Sequence, residues 1–369
     1  MDKETTFKAL GVADDKDWIH PKRFGYHPTV LNDHDVEVEI ELCAVCGSDL
    51  HYASGDWGRP FLPAAPGPEI IGKISKMGKL VDANKFKMGD RVGVGPQKDC
   101  CGKCTRCLVH KEMNCKKMIQ TYSSPDPITG EGTQGGYADR IRCNDRFIFK
   151  IPDNLESKYA APLMCGGMTG FKPLLTAKVG KGTKVGIVGI GGIGHMTILF
   201  AKALGAEVTA ISRSDRKRED AFKLGADHYI TTSKDGYTDE FSDSLDLIIY
   251  TTSSFSGVNF DENLKLLMPG GKIIFITAPP LSEKLTLSPF AMLMGDYSVG
   301  ASAVGHPHEI EFMLKFAAEH NIKPWVETLD INADNVTEAW ERLERGDVKY
   351  RFVLTNNQKY FASNKDETA

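Results

Sequence analysis

Residues 184–213 constrain the fold more than any other stretch of this 369-residue chain. KVGIVG is a short apolar run, GIGGIG a turn that shares its first glycine, HMTILFAKALG a helical stretch closing at Gly205, and EVTAISR a second apolar run. Strand, glycine turn, helix and strand make a βαβ unit, and parallel strands joined this way need helices on both faces of their sheet. LDLIIY (245–250), a helix expected over 258–268 and GKIIFIT (271–277) continue the alternation. The fold class that follows is α/β, with a doubly wound parallel sheet in this part of the chain.

The glycines Gly189, Gly191, Gly192 and Gly194, with Ile190 and Ile193 between them, follow a strand and open a helix. That context is what a dinucleotide needs. Glycine permits the tight turn, lets the backbone approach a pyrophosphate, and leaves the helix N-terminal N–H groups free to hold its charge. A glycine-rich turn in an unrelated α/β domain is the bland alternative. About 20 residues on, where an acidic residue would accept the ribose 2′-OH of NAD, the chain carries Ser212, Arg213, Arg216, Lys217 and Arg218. A hydroxyl and several cations suit a 2′-phosphate and so predict NADP(H), with Arg213 and Lys217 as the gripping pair. A solvated basic first turn of the next helix, diluted by Asp215, is the competing view.

The first ~150 residues read differently. DVEVEIELCAV (35–45) alternates acidic and apolar side chains as a half-buried strand does. Short strand-like pieces separated by Gly and Asp continue over 66–95, giving a β-rich domain. The length supports two domains rather than one. A net charge of -4 and pI near 6.2 give no electrostatic reason to expect nucleic acid or an anionic membrane as partner. No run approaches the ~20 apolar residues of a membrane span, and the N-terminus lacks the apolar segment of a signal peptide, so a cytoplasmic address is expected. The last residues, NQKYFASNKDETA, read as a polar tail.

Nine cysteines are an odd number, and four lie between positions 101 and 115. Cys101-x2-Cys104-x2-Cys107-x7-Cys115 gives four thiolates that a loop can fold around one tetrahedral zinc, a closed site that braces rather than reacts. Iron–sulfur ligation is the other use of four thiolates. Cys100 reads as a bystander. Elsewhere Cys43 and Cys165, taken singly, read as small buried hydrophobes.

The four-cysteine lobe, the glycine turn downstream of it, and Cys46-Gly47-Ser48-Asp49-Leu50-His51 upstream occur together. With WVETL (325–329) and GDVKYRF (346–352), they make the chain resemble the zinc-containing medium-chain dehydrogenase/reductases. Within these it is similar to the cinnamyl alcohol dehydrogenase group, especially its fungal NADP-dependent enzymes. The resemblance implies a GroES-like catalytic domain over 1–157, a Rossmann cofactor domain over 158–302, and a return to the catalytic domain over 303–369. It implies zinc-assisted hydride transfer between NADP(H) and an aldehyde/alcohol pair. Cys46 and Cys165 then fall at the catalytic zinc, Ser48 at the substrate oxygen and cofactor ribose, and His51 on the proton route. Gly47, His51, Thr169 and Arg351 join Gly189–Gly194, Ser212, Arg213 and Lys217 as cofactor-binding residues. Cys101, Cys104, Cys107 and Cys115 become the structural zinc ligands. A homodimer joined around 285–303 is also implied. Trp57 and the surrounding WGRPF (57–61) either shape an apolar substrate pocket or serve ordinary loop packing.

One segment departs from the family's pattern. Where the family has Gly-His-Glu, this chain has Gly67-Pro68-Glu69. Proline offers no donor atom, so Glu69 is expected as third ligand beside Cys46 and Cys165, with the fourth position open to water or substrate. A carboxylate in place of imidazole adds negative charge and weakens the metal's Lewis acidity, so reduced activity is expected. The alternative is an NADPH-binding or redox-sensing protein whose reactive metal is lost.

Overall fold

The computed structural model describes residues 2–127, 129–256 and 258–363. The chain forms two compact units, one of Met1–Cys165 with Gly305–Ala369 and one of Gly166–Val304. The first unit therefore extends past the expected boundary at 157, because the helix Ser157–Pro162 packs on that unit's own strands, Asp35–Ala44 and Ile70–Met77 among them.

The first unit is built on a seven-stranded sheet. Its strands run Val326–Asp330, Arg351–Thr355, Asp35–Ala44, Ile70–Met77, Arg91–Val94 and Ile148–Lys150 across the sheet, and Arg140–Asn144 also pairs with Asp35–Ala44. All pairings are antiparallel except that between Val326–Asp330 and Arg351–Thr355. Val36, Val38 and Ile40 are buried as the alternation predicts. The acidic side is not uniformly exposed, however: Glu37 is fully buried, where Arg142 Nε donates to its Oε2 at 2.8 Å. A paired charge of this kind tolerates burial that a lone carboxylate would not. Trp340, on the helix Ala333–Glu344, is fully buried and stacks on Tyr137 with ring centroids 6.2 Å apart.

The expected polar tail is overturned over 357–362, which form the helix Asn357–Ala362. Its polar side chains serve backbone carbonyls that the sheet leaves open. Asn357 Nδ2 donates to Gly136 and Ala138, Gln358 Nε2 donates to Ile40 and Asp139, and Phe361 joins the core. Buried carbonyls need such donors. Residues 364–369 lie outside the described residues.

The second unit holds a six-stranded parallel sheet in the order His228–Thr231, Glu207–Ser212, Lys184–Val188, Leu245–Tyr250, Leu267–Phe275, Ser298–Ala301. Counted along this unit, the order is 3-2-1-4-5-6, the doubly wound Rossmann order, whose ligand crevice lies where the direction reverses, beyond Lys184–Val188 and Leu245–Tyr250. The helix expected over 258–268 is shorter, Phe260–Leu264, because Leu267 already pairs with Leu245. Gly257 lies outside the described residues. The edge strand Ser298–Ala301 follows a helix, Pro289–Gly295, that exposes Phe290 (73%), Leu293 (78%) and Met294 (72%).

Candidate active site and cofactor cradle

Cys46 sits at the N-cap of the helix Gly47–Ala53, and its backbone N–H donates to Asp49 Oδ2 at 2.8 Å. Asp49 Oδ1 accepts from Gly67 N–H at 3.1 Å, so one buried carboxylate ties the Cys46 turn to the Gly67-Pro68-Glu69 segment. Tyr137 Oη also donates to Asp49, at 3.2 Å. Burial, with the nearby Cys46 charge, pushes the Asp49 carboxyl up to about 7 against the pull of these N–H donors. Gly67 has φ +109°, and a Cβ there would lie 2.8 Å from both Cys43 Sγ and Tyr137 Cδ1. Only glycine fits at this bend.

The bend brings Glu69 to Cys46 and Cys165. One ligand atom from each lies within 4.8 Å of the others, and all three residues are buried. Cys165 reaches the centre from a π-helical turn, Leu163–Gly167, a local widening often found at functional sites. Pro68 is buried in the same segment and contributes no donor. Two thiols and a carboxylate converging in this way fit one divalent zinc. Of the two thiols, Cys46 is held well down by its hydrogen bond with Cys165 and by the Arg351 charge, while the same contact holds Cys165 up. Arg351, expected with the cofactor residues, is buried on Glu69: its Nη2 donates to Glu69 Oε2, and it is 4% exposed.

Ser48 and His51 lie on the same short helix as Cys46's cap. Ser48 Oγ accepts from Tyr122 Oη at 3.1 Å. His51 Nδ1 is 2.8 Å from Asp56 Oδ2, and its ring stacks on Trp57 at 4.9 Å. Trp57 therefore orients the imidazole. The sequence assigns no role to Asp49, which appears there only as a member of the Cys46–His51 motif, nor to Asp56, Tyr122 or Tyr137. Asp49 had a local signal, three residues after the Cys46 cap as in a capping box, whereas the tyrosines arrive only through tertiary packing.

In the lobe, Cys104 and Cys107 sulfurs are 3.5 Å apart, Cys101 and Cys115 3.5 Å, Cys104 and Cys115 3.8 Å, and Cys101 and Cys107 4.0 Å. A tetrahedron with zinc–sulfur bonds near 2.3 Å has edges of about 3.8 Å. This spacing fits one metal and leaves no room for a multi-iron cluster. Backbone N–H groups of Lys103 and Cys104 pull the Cys101 thiol down to about 6, towards the thiolate a metal takes. Cys100 is no distant bystander, since its sulfur lies 3.6 Å from that of Cys107.

The candidate cofactor cradle is the turn Gly189–Gly194 in the second unit. Gly189 has φ +92°, and Thr251 Oγ1 fastens the turn by donating to Val188 and Gly189 carbonyls. A Cβ on Gly194 would meet Gly189 O at 1.9 Å, whereas one on Gly191 would meet nothing within 4 Å. Close packing on one side and an open hollow at the N-terminus of the helix Gly194–Ala203 fit a pyrophosphate. Ser212 ends its strand and Arg213 is exposed beside it. Lys217 Nζ donates to Ile190 O at 2.6 Å, which ties it to the turn. Arg218 pairs with Asp215 at 2.6 Å and lies over Tyr229, so the acid within the basic run is neutralised locally. Thr169 is buried in the helix Met168–Thr176.

The geometry has the parts of a metal- and dinucleotide-dependent oxidoreductase, and comparison with known proteins agrees. A family model for the alcohol dehydrogenase GroES-like domain matches residues 32–153, and one for zinc-binding dehydrogenase matches 192–319. The NADP-dependent alcohol dehydrogenase 6 of Saccharomyces cerevisiae is 44% identical over 357 residues, covering 96% of this chain and 98% of the yeast protein. Among solved structures, a cinnamyl alcohol dehydrogenase from Sorghum bicolor matches with TM-score 0.91 and 34% identity, covering 99% of this chain and all of that one (100%). The CAD of Helicobacter pylori complexed with NADP(H) matches at 0.87 and 31%, over 96% and 99%. The chain belongs to the zinc-containing medium-chain dehydrogenases and is an enzyme of the alcohol dehydrogenase/aldehyde reductase type. Within that family it falls in the cinnamyl alcohol dehydrogenase group.

Proposed function

We propose that this enzyme reduces aromatic or medium-chain aldehydes to primary alcohols with NADPH, and runs the reverse oxidation, using zinc held by Cys46, Glu69 and Cys165. The observation that carries the reading is the convergence of three buried metal donors next to an oriented Ser48 and His51. When bound, NADPH supplies the hydride and zinc the Lewis acidity that polarises the carbonyl. The chain supplies proton handling. Burial beside Asp49 and Cys46 holds the Tyr122 phenol well up, so it stays a donor to Ser48 Oγ. Ser48 thus keeps its own proton for donation, which it directs at the Cys46 sulfur in this structure and would give to the product oxygen in the reaction. His51, fixed by Asp56 and Trp57, takes over the proton on its way to solvent.

Cofactor choice rests on Ser212 and Arg213 at the end of Glu207–Ser212, with the pyrophosphate at Gly189–Gly194 and with Gly47, His51 and Thr169 as further contacts. We assign Arg351 to the metal centre, and the second zinc to Cys101, Cys104, Cys107 and Cys115. The exposed Phe290, Leu293 and Met294, beside the edge strand Ser298–Ala301, support a homodimer that continues the sheet across two copies. Nine free cysteines support a reducing, cytoplasmic address. No helix among the described residues is long and apolar enough to cross a membrane. The non-catalytic alternative rests on Pro68 alone and leaves the retained donors and proton route without a purpose.

Stopped-flow mixing of the zinc-loaded enzyme with cinnamaldehyde and either NADPH or NADH tests the reading. Hydride transfer, faster by at least about tenfold with NADPH, is expected, since each charge-assisted contact to a phosphate contributes about 1.5–3 kcal/mol. Absence of transfer from NADPH, even with added zinc, would refute it.

A further inference from the structure

At the metal centre, one carboxylate is claimed twice. With proline at 68, Glu69 is the donor left beside Cys46 and Cys165, and its ligand oxygen lies within 4.8 Å of both sulfurs. The same carboxylate, on Oε2, is held by Arg351 Nη2. Both partners are withdrawn from water, with side chains 0% and 4% exposed, so their charges act almost unscreened by solvent. The guanidinium also feels the Cys46 and Cys165 sulfurs, and its Nε–H has no hydrogen-bond partner among the described residues. A positive charge is thus built into the pocket that would receive the metal.

We propose that Arg351 is an internal counter-cation that competes with zinc at Cys46, Glu69 and Cys165, making this centre exchangeable while the four-cysteine centre retains its metal. The inference rests on the zinc reading above. A neutral ligand at 68 would leave Glu69 to the arginine, with metal binding and ion pair drawing on different groups. Proline removes that separation. Zinc entering here must take density from a carboxylate already hydrogen-bonded to a cation, and must sit beside that cation in a poorly screened interior. At the four cysteines the cation is placed differently: the solvent-facing Arg146 guanidinium donates to Cys100 Sγ at 3.6 Å, outside the ligand set of Cys101, Cys104, Cys107 and Cys115.

The test is competition between the full-length, zinc-loaded enzyme and a chromophoric chelator, with released zinc counted per chain. The wild type is expected to give up one zinc readily and to keep the other. Arg351→Met is expected to hold the labile zinc at least tenfold tighter, and Arg351→Lys, which keeps the charge, to stay near wild type. Cobalt substitution gives an independent reading through the thiolate-to-cobalt absorption of the labile site. Equal or weaker binding in a folded Arg351→Met would overturn the proposal. If that variant does not fold, Arg351→Gln, which removes the charge and keeps hydrogen-bonding capacity, decides: tighter labile zinc supports the competition, and equal or weaker binding overturns it. Turnover with aldehyde is measured apart from zinc affinity. An enzyme that fails to reduce aldehydes yet tightens its zinc in Arg351→Met refutes the proposed reaction and leaves this inference standing.

Discussion

Two alanine substitutions within the turn Gly189–Gly194 separate its structural duty from its binding duty. A methyl on Gly191 meets no protein atom within 4 Å, and Gly191 is not among the residues with positive φ. Gly191→Ala should therefore fold at least as well as wild type, since replacing glycine at a compatible position stabilises by about 0.4–1 kcal/mol through the unfolded chain. The same methyl fills the hollow in front of the helix Gly194–Ala203 where backbone N–H groups would meet the pyrophosphate. Losing one or two charge-assisted hydrogen bonds, at about 1.5–3 kcal/mol each, weakens NADPH binding by about 10- to 100-fold or more. Gly194→Ala is the control of opposite character. Its Cβ would lie 1.9 Å from Gly189 O and 2.7 Å from Thr251 Oγ1, so backbone must move. An overpacking cost of about 1–3 kcal/mol lowers the melting temperature by several degrees. Calorimetry of the metal-loaded protein gives the stability, and NADPH fluorescence titration gives Kd. A Gly191→Ala protein that melts as wild type and binds NADPH with unchanged affinity would show that the hollow is not the cofactor's.

The remaining predictions concern the lobe, the edge strand and one exposed acid. Cys104→Ser, or zinc removal from the lobe under denaturant-free thiol modification, should release one zinc per chain and open the 100–115 loop to protease, because a closed structural site contributes folding energy directly; a lobe that stays resistant would contradict this. Leu293→Asp, which charges the most exposed apolar side chain of Pro289–Gly295, should shift sedimentation from dimer to monomer, and an unchanged dimer would place the interface elsewhere. Asp215 is pulled down to about 2, first by the Thr231 hydroxyl and then by Arg218. Because its folded value lies below the unfolded one, near 3.8, its stabilising effect is complete above that pH and fades between about 4 and 2. The melting-temperature gap between wild type and Asp215→Asn should accordingly narrow as pH falls below about 4, and a gap that widens would reverse the assigned sign.

What was legible in the sequence was local. The glycine turn lies within consecutive residues and the four cysteines within one short stretch, Cys101 to Cys115, so local spacing indicates which atoms converge, and the structure builds both as compact units. The centre at Cys46, Glu69 and Cys165 is assembled from segments far apart in sequence, and only resemblance pointed to it. The Arg351 contact with Glu69 comes from the far end of the chain and carried no local signal. Misreadings had the same origin. The segment beginning at Asn357 is polar in composition, yet its amides are spent on carbonyls of Gly136, Ala138, Ile40 and Asp139, which no local pattern reveals. Glu37 looked like a solvent-facing residue because its partner, Arg142, lies on another strand.

The same distinction explains how the centre keeps its shape without a histidine. Its architecture depends on backbone contacts rather than on the side chain at 68. Asp49 accepts from the N–H groups of Cys46 and Gly67, so it joins the two ligand-bearing segments whatever residue follows Gly67. Gly67's positive φ and its close approach to Cys43 and Tyr137 fix the bend that aims Glu69 inward. Neither feature uses an imidazole. Substitution at 68 therefore changes the ligand set and its charge while leaving the ligand positions in place. Pro68→His should add a donor to a scaffold already shaped to receive one, raising both zinc retention and aldehyde turnover with little change in melting temperature of the metal-free protein. A Pro68→His protein whose metal-free form melts well below wild type would mean that proline, and not Asp49 with Gly67, sets the bend.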